Sequence, residues 1–195
     1  MLLNVPNLLT GFRILLIPLF VGVFYLPESW LSLHSKNVAA TLIFTAAAVT
    51  DWLDGYLARS LNQTSAFGAF LDPVADKLMV VAALILLVAL GRVNALIAVV
   101  IIGREIAISA LREWMAGIGA GKNVAVSFLG KLKTLAQMVA ILMLLYYEQP
   151  HAWLNFPLLG TVLILVAALL TLWSMAYYLK MAWPHALRQD KPPVP

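Results

Sequence analysis

The chain has 195 residues, of which 63% are hydrophobic and only 11% charged, with a formal net charge of +4. Soluble domains carry roughly a quarter charged residues, so a water-surrounded globule is excluded and lipid is the expected solvent for most of the chain. The absence of cysteine removes disulfides, thiolate metal ligands and a thiol nucleophile, and the lack of a soluble basic module argues against nucleic acid as a partner.

A hydrocarbon core about 30 Å thick needs about 20 helical residues at 1.5 Å rise. Six apolar windows meet this within boundary error, over residues 8–26, 38–58, 73–90, 93–115, 132–147 and 157–182. The first lacks a basic leader and a small-residue cleavage site, so it reads as a retained span. Pro27 ends it, Gly91 to Asn94 forms a tight turn after the third, and Pro150 to Pro157 separates the last two. The expectation is an all-α, polytopic membrane protein with six transmembrane helices. One domain covers residues 1–183, and residues 184–195, ending KPPVP, form a short disordered cytoplasmic tail. There is no internal repeat.

An even number of spans puts both termini on one side. Of the 13 lysines and arginines, only Lys36 and Arg92 fall at the opposite face, so the crowded face is cytoplasmic by the positive-inside bias. Tyr25, Trp30, Tyr146, Tyr147 and Trp153 mark the outer interface as an aromatic belt, and His34, His151 and His185 read as solvated loop residues.

The stretch DWLDGYLARSLNQTSAFGAFLDPVADK joins the second and third windows. On a helix, Asp51, Asp54, Gly55 and Ala58 fall at i, i+3, i+4 and i+7, one face with two carboxylates and two residues without bulk. Asp72 precedes Pro73 as an N-cap precedes a proline at the first helical position, and Asp76 lies one turn further along. An ionised residue near mid-membrane costs roughly 3 kcal/mol, so four carboxylates demand compensation. Oxygen-only ligation from two neighbouring helices suits a hard cation, and four carboxylates can hold two ions of Mg2+ or Mn2+. The alternative is that they pair with Arg59, Lys77 or Arg104 as glue between helices. Gly55, Ala58 and Gly68 favour the metal, because small residues beside carboxylates make room for a ligand.

The spacing Asp51, Asp54, Gly55, Ala58, Arg59, then Gly68, Asp72 and Asp76 resembles, at every fixed position, the signature of the CDP-alcohol phosphotransferases. The resemblance implies a six-helix membrane fold, a homodimer, and a dinuclear site gripping the diphosphate of a CDP-linked donor. It implies that Asp51, Asp54, Asp72 and Asp76 are metal ligands, with Asp76 also the general base. Asp54, Gly55, Ala58, Arg59 and Gly68 would touch the CDP group, as would Asn7 and Thr10 of the segment PNLLTGFR, which with Pro6 and Arg13 matches family positions near the donor.

The acceptor is read from the later windows. Arg104 and Arg112 lie in the fourth, and the fifth opens with Lys131, Lys133, Thr134 and Gln137, with Lys133 and Gln137 at i, i+4 and Lys131 and Thr134 at i, i+3. Four cations beside a site already provided with carboxylates suggest a second anion, an acceptor carrying its own phosphate. The plainer alternative makes the two lysines positive-inside flanks and pairs Arg104 with Glu105 or an aspartate. The segments GREIAISALREWMA and GKLKTLAQM resemble the branch of the family whose acceptor is glycerol 3-phosphate. The expected reaction is therefore phosphatidyl transfer from CDP-diacylglycerol to glycerol 3-phosphate with release of CMP, at the cytoplasmic face of a bacterial inner membrane. Serine, inositol phosphate or phosphatidylglycerol as acceptor, and a membrane prenyltransferase, are the alternatives. The sequence departs from the family only in the loop from Pro27 to Asn37 and the Pro-rich end.

Overall fold

A computed structural model describes residues 5–60, 66–118, 128–149 and 154–189. Among the described residues the chain is all-helical, without a β-strand. The helices are α1 (Val5–Gly22), α2 (Leu33–Ser60), α3 (Ala66–Ala89), α4 (Ala95–Gly117), α5 (Phe128–Tyr146) and α6 (Phe156–Gln189), with a 3-10 turn at Val23–Tyr25 after α1. Asn7–Tyr25 and Phe156–Trp183 are long and apolar enough to cross a membrane by length and composition, and Leu132–Tyr146 is a shorter apolar helix. Helices α3 and α4 carry acidic and basic residues within the stretch that would span.

Start and stop signals explain the boundaries. Asn94 caps α4 by accepting from the Leu96 amide at 2.8 Å, so α4 starts at Ala95 rather than at the expected Val93. Asn155 accepts from the Leu158 amide at 2.9 Å, and Ser32 Oγ accepts from the Ser35 amide at 3.2 Å, which starts α2 earlier than expected. The α3 to α4 turn forms as its sequence suggests, with Gly91 at φ 69°. One expectation is overturned. Asp72 is not an N-cap: α3 begins at Ala66, and Pro73 lies inside it. The preceding AFGAF run continues the helix, and the proline removes only one backbone donor. Helix α6 runs past residue 183 to Gln189, into the stretch assigned to the tail; residues 190–195 lie outside the described residues.

The chain divides into two compact units, Met1–Val93 with Ile141–Gly160, and Asn94–Ala140 with Thr161–Pro195. In the first, α1 packs on α2 and α3, with the Phe20 and Phe44 rings 6.2 Å apart. Its burial pattern is inverted relative to a soluble helix: Asn7, Thr10 and Arg13 are buried above Leu16, Phe20 and Val23, while Leu8, Phe12, Leu15 and Leu19 are exposed. Arg13 is 1% exposed and Leu15 70%. Water would penalise that arrangement, and lipid favours it.

The end of this unit bearing the start of α2 is closed by two cations. Lys36 Nζ donates to the Leu26 carbonyl at 2.6 Å. Arg92 donates to the carbonyls of Leu144 and Leu145 at 3.0 and 2.9 Å and to Asn37 Oδ1 at 2.7 Å. These carbonyls belong to the last turn of α5, which has no helical donors for them. The guanidinium lies 4.3 Å from the centroid of the Tyr147 ring, and Tyr147 ends α5 with φ 54°. Burial pushes Arg92 below its ordinary range, and the neighbouring Tyr147 works against that shift. His34 is exposed, as expected, but stands in the first turn of α2 bonded to Glu148 and not in a loop. Gly160 allows a close approach to α5, since an added Cβ would meet Leu144 Cγ at 2.8 Å and force that side chain to shift.

In the second unit, Ile108 and Met115 of α4 pack with Tyr178 and Ala182 of α6.

Candidate active site

Within the first unit, α1 gathers the carboxylates. Thr10 and Arg13 are one turn apart on its buried face. Thr10 Oγ1 donates to Oδ1 of Asp72 on α3. Arg13 Nη1 donates to Oδ1 of Asp51 on α2 at 2.7 Å, with Asp51 47% exposed and Arg13 buried. Two carboxylates far apart in sequence are thus brought to one turn of a third helix. This is the feature that spacing alone could not supply: sequence reasoning placed Thr10 and Arg13 near the donor but not on these aspartates.

Asp76 lies one turn beyond Asp72 on α3 and is exposed, and Gly68, on the turn before Asp72, is buried. Asn7 is buried one turn before Thr10. Helix α2 carries Asp54, Gly55, Ala58 and Arg59, whose side chains lie outside the described residues. Among the described residues no three carboxylates close into a metal-holding group. The donor chemistry nevertheless fits a hard divalent ion, because Asp51 and Asp72 are carboxylate oxygens presented from two helices against one turn of a third.

The second unit has its own polar centre. Arg104 is buried; its Nη1 donates to Glu105 Oε1 at 3.1 Å and its Nη2 to Ser174 Oγ of α6 at 2.9 Å. Lys133 of α5, also buried, donates to the same Glu105 oxygen. Glu105 therefore pairs with two of the expected acceptor-binding cations. Arg112 is exposed, its Cζ 5.5 Å from the centroid of the Tyr178 ring. Gln137 is buried one turn along α5 from Lys133, and Thr134 is exposed. The side chain of Lys131 lies outside the described residues. The pairing of Arg104 with Glu105 follows the plainer of the two readings, yet it leaves the group's cations in excess. Sequence reasoning missed Thr171, Ser174 and Tyr178, all buried on α6. Their signal was there, as hydroxyls at i, i+3 and i+7 along a mostly apolar stretch of the helix.

Described residues that are helical throughout, with Asp51 and Asp72 meeting the polar face of the first helix, define a class. Residues 3–179 match the CDP-alcohol phosphatidyltransferase family, and the chain belongs to it. Among its relatives are proteins named CDP-diacylglycerol--glycerol-3-phosphate 3-phosphatidyltransferase. Those of Shigella flexneri serotype 5b and Shigella boydii serotype 4 are each 53% identical over 188 residues, covering 95% of this chain and 98% of the relative. The Escherichia coli K12 protein of that name has the same identity and coverage.

Proposed function

We propose that this chain transfers the phosphatidyl group of CDP-diacylglycerol to glycerol 3-phosphate, giving phosphatidylglycerophosphate and CMP. The observation that carries the reading is near-full-length likeness to relatives bearing that name, on a chain whose first helix holds Asp51 and Asp72 together through Arg13 and Thr10.

The acceptor hydroxyl attacks the phosphorus nearer the diacylglycerol. A new phosphorus–oxygen bond forms, the bond to the CMP oxygen breaks, and Asp76 takes the hydroxyl proton. Asp51, Asp54, Asp72 and Asp76 would hold two Mg2+ or Mn2+ ions, which supply neutralisation of the diphosphate charge when bound. Gly55, Ala58 and Gly68 leave space for the cytidine nucleotide, Arg59 balances the departing CMP, and Asn7 and Thr10 line the donor side. Arg104, Arg112, Lys131, Lys133 and Thr134 receive the phosphate of the acceptor, a role supported by the excess of cations over Glu105 in that group.

The six helices form six spans of a bacterial inner membrane, with both termini and the active site on the cytoplasmic side, and the enzyme is a homodimer. The inverted burial of α1 supports the membrane setting, and the basic residues support the orientation. Purified protein supplied with CDP-diacylglycerol and a panel of alcohols tests the reaction. CMP release with glycerol 3-phosphate, and little with serine, free glycerol or inositol phosphate, is expected; preference for another alcohol moves the chain to a different branch of the family. The chain has no native cysteine, so single cysteines at residues 33 and 155 should react with an impermeant reagent from outside, and those at 63 and 120 should not.

A further inference from the structure

We infer that α6 forms one wall of the acceptor site: Ser174 and Tyr178 position the two arginines of α4, and the Tyr178 hydroxyl donates to the acceptor's phosphate. The inference rests on the proposed reading that the acceptor is a phosphorylated alcohol.

The geometry begins with spacing. Arg104 and Arg112 are eight residues apart on α4, a rise of about 12 Å, whereas Ser174 and Tyr178 are four apart on α6, a rise of about 6 Å. Ser174 Oγ accepts from Arg104 Nη2 at 2.9 Å, and Arg112 lies against the Tyr178 ring. Two guanidinium groups that would stand far apart on their own helix are therefore drawn together by contacts half as far apart on the other. Both contacts are fixed. Ser174 is tied back to its own helix, donating to the Thr171 carbonyl at 2.9 Å. The Tyr178 ring is clamped among Ile108, Met115 and Ala182.

What this arrangement leaves unmet points to a ligand. Among the described residues, Arg104 Nε, Thr171 Oγ1 and Tyr178 Oη are buried without a hydrogen-bond partner. The residues that carry them are 6%, 0% and 2% exposed, so bulk water does not serve them. Buried polar groups are normally satisfied, and three such atoms on the facing helices α4 and α6 call for an oxygen-rich guest. Charge agrees. Glu105 meets Lys133 and Arg104, which leaves the centre of Arg104, Arg112, Lys133 and Glu105 with two positive charges in excess. A phosphate monoester carries close to two negative charges at neutral pH and offers several acceptor oxygens, which matches both the excess and the unmet donors. A zwitterionic or neutral alcohol matches neither.

The test separates the hydroxyl, the ring and the serine. Tyr178→Phe keeps the ring under Arg112 and removes the hydroxyl; its KM for glycerol 3-phosphate should rise about ten-fold, the factor expected for one charge-assisted hydrogen bond. Its KM for CDP-diacylglycerol and its melting temperature should stay near wild type. Tyr178→Leu should raise the acceptor KM further, and Ser174→Ala should raise it in a way that Ser174→Thr restores. A second readout needs no turnover: glycerol 3-phosphate, and more weakly inorganic phosphate, should raise the melting temperature of wild type without donor, and this shift should shrink in Tyr178→Phe. An unchanged acceptor KM and an unchanged ligand shift in Tyr178→Phe would overturn the inference, as would equal rises in both KM values with a lowered melting temperature, which assigns α6 to packing alone. Wild type that ignores glycerol 3-phosphate and uses an unphosphorylated alcohol overturns the proposed reaction itself, and the α6 assignment with it.

Discussion

The first unit holds two polar clusters in the same surroundings, and they are built differently. At one end, Lys36 and Arg92 are met by the backbone carbonyls of Leu26, Leu144 and Leu145 and by Asn37. Apart from the Asn37 side chain, each of these partners is a backbone carbonyl that a helix end left without a donor, so the cations complete the fold and nothing further is required. At the other end, Arg13 and Thr10 are met by side-chain carboxylates of two separate helices. Those carboxylates close no helix end, and each carries a cost of leaving water. A cation on terminal carbonyls is a staple, whereas carboxylates carried into the same apolar setting call for a ligand.

That contrast predicts opposite mutational outcomes. The largest effect belongs to Asp51→Asn and Asp72→Asn, which should lower CMP release by about a hundred-fold or more while the protein stays folded and inserted, as removal of a preorganised electrostatic partner does. Retained activity in both would make this cluster a second staple. Asp76→Asn sharpens the assignment within the cluster. Loss of a general base costs about a hundred-fold or more in turnover, and single-turnover and binding measurements should show donor affinity little changed. Arg112→Gln should raise the requirement for glycerol 3-phosphate about ten-fold, because the exposed arginine contributes one charge-assisted contact. Arg104→Gln should add a loss of stability, since it removes one of the two cations on Glu105 and the donor to buried Ser174 Oγ. Arg92→Gln is the converse case: a destabilisation of about 2 kcal/mol by thermal or denaturant unfolding, with both KM values and kcat near wild type.

Much of this was legible in the sequence. The carboxylates stood out because charge in an apolar run is costly, and Gly91 and Asn94 announced the turn between α3 and α4 through backbone chemistry that is local. What could not be read depended on other helices. Pro73 suggested a helix start, but AFGAF ahead of it carries the helix through. Arg92 read only as one of two outer cations, with Lys36, and it is the fold that brings it to the last turn of α5. The spacing of Ser174 and Tyr178 was visible but did not reveal their role, since a hydroxyl in an apolar helix can satisfy itself on its own backbone, as Thr41, Thr45 and Thr50 do in α2. Which hydroxyls face an arginine is a fact of packing. Asp54 and Arg59 show the reverse: their motif is plain in the sequence, while their side chains lie outside the described residues.

The central claim, that the carboxylates gathered on α1 form a divalent-metal site, is tested most directly by metal removal. CMP release by the purified wild-type protein, with CDP-diacylglycerol and glycerol 3-phosphate present, should be measured after exhaustive chelation and again after adding back Mg2+ or Mn2+, with Asp72→Asn in parallel. The account predicts that activity disappears on chelation, returns with the metal, and does not return in the mutant. Full activity in the metal-free wild type would contradict it.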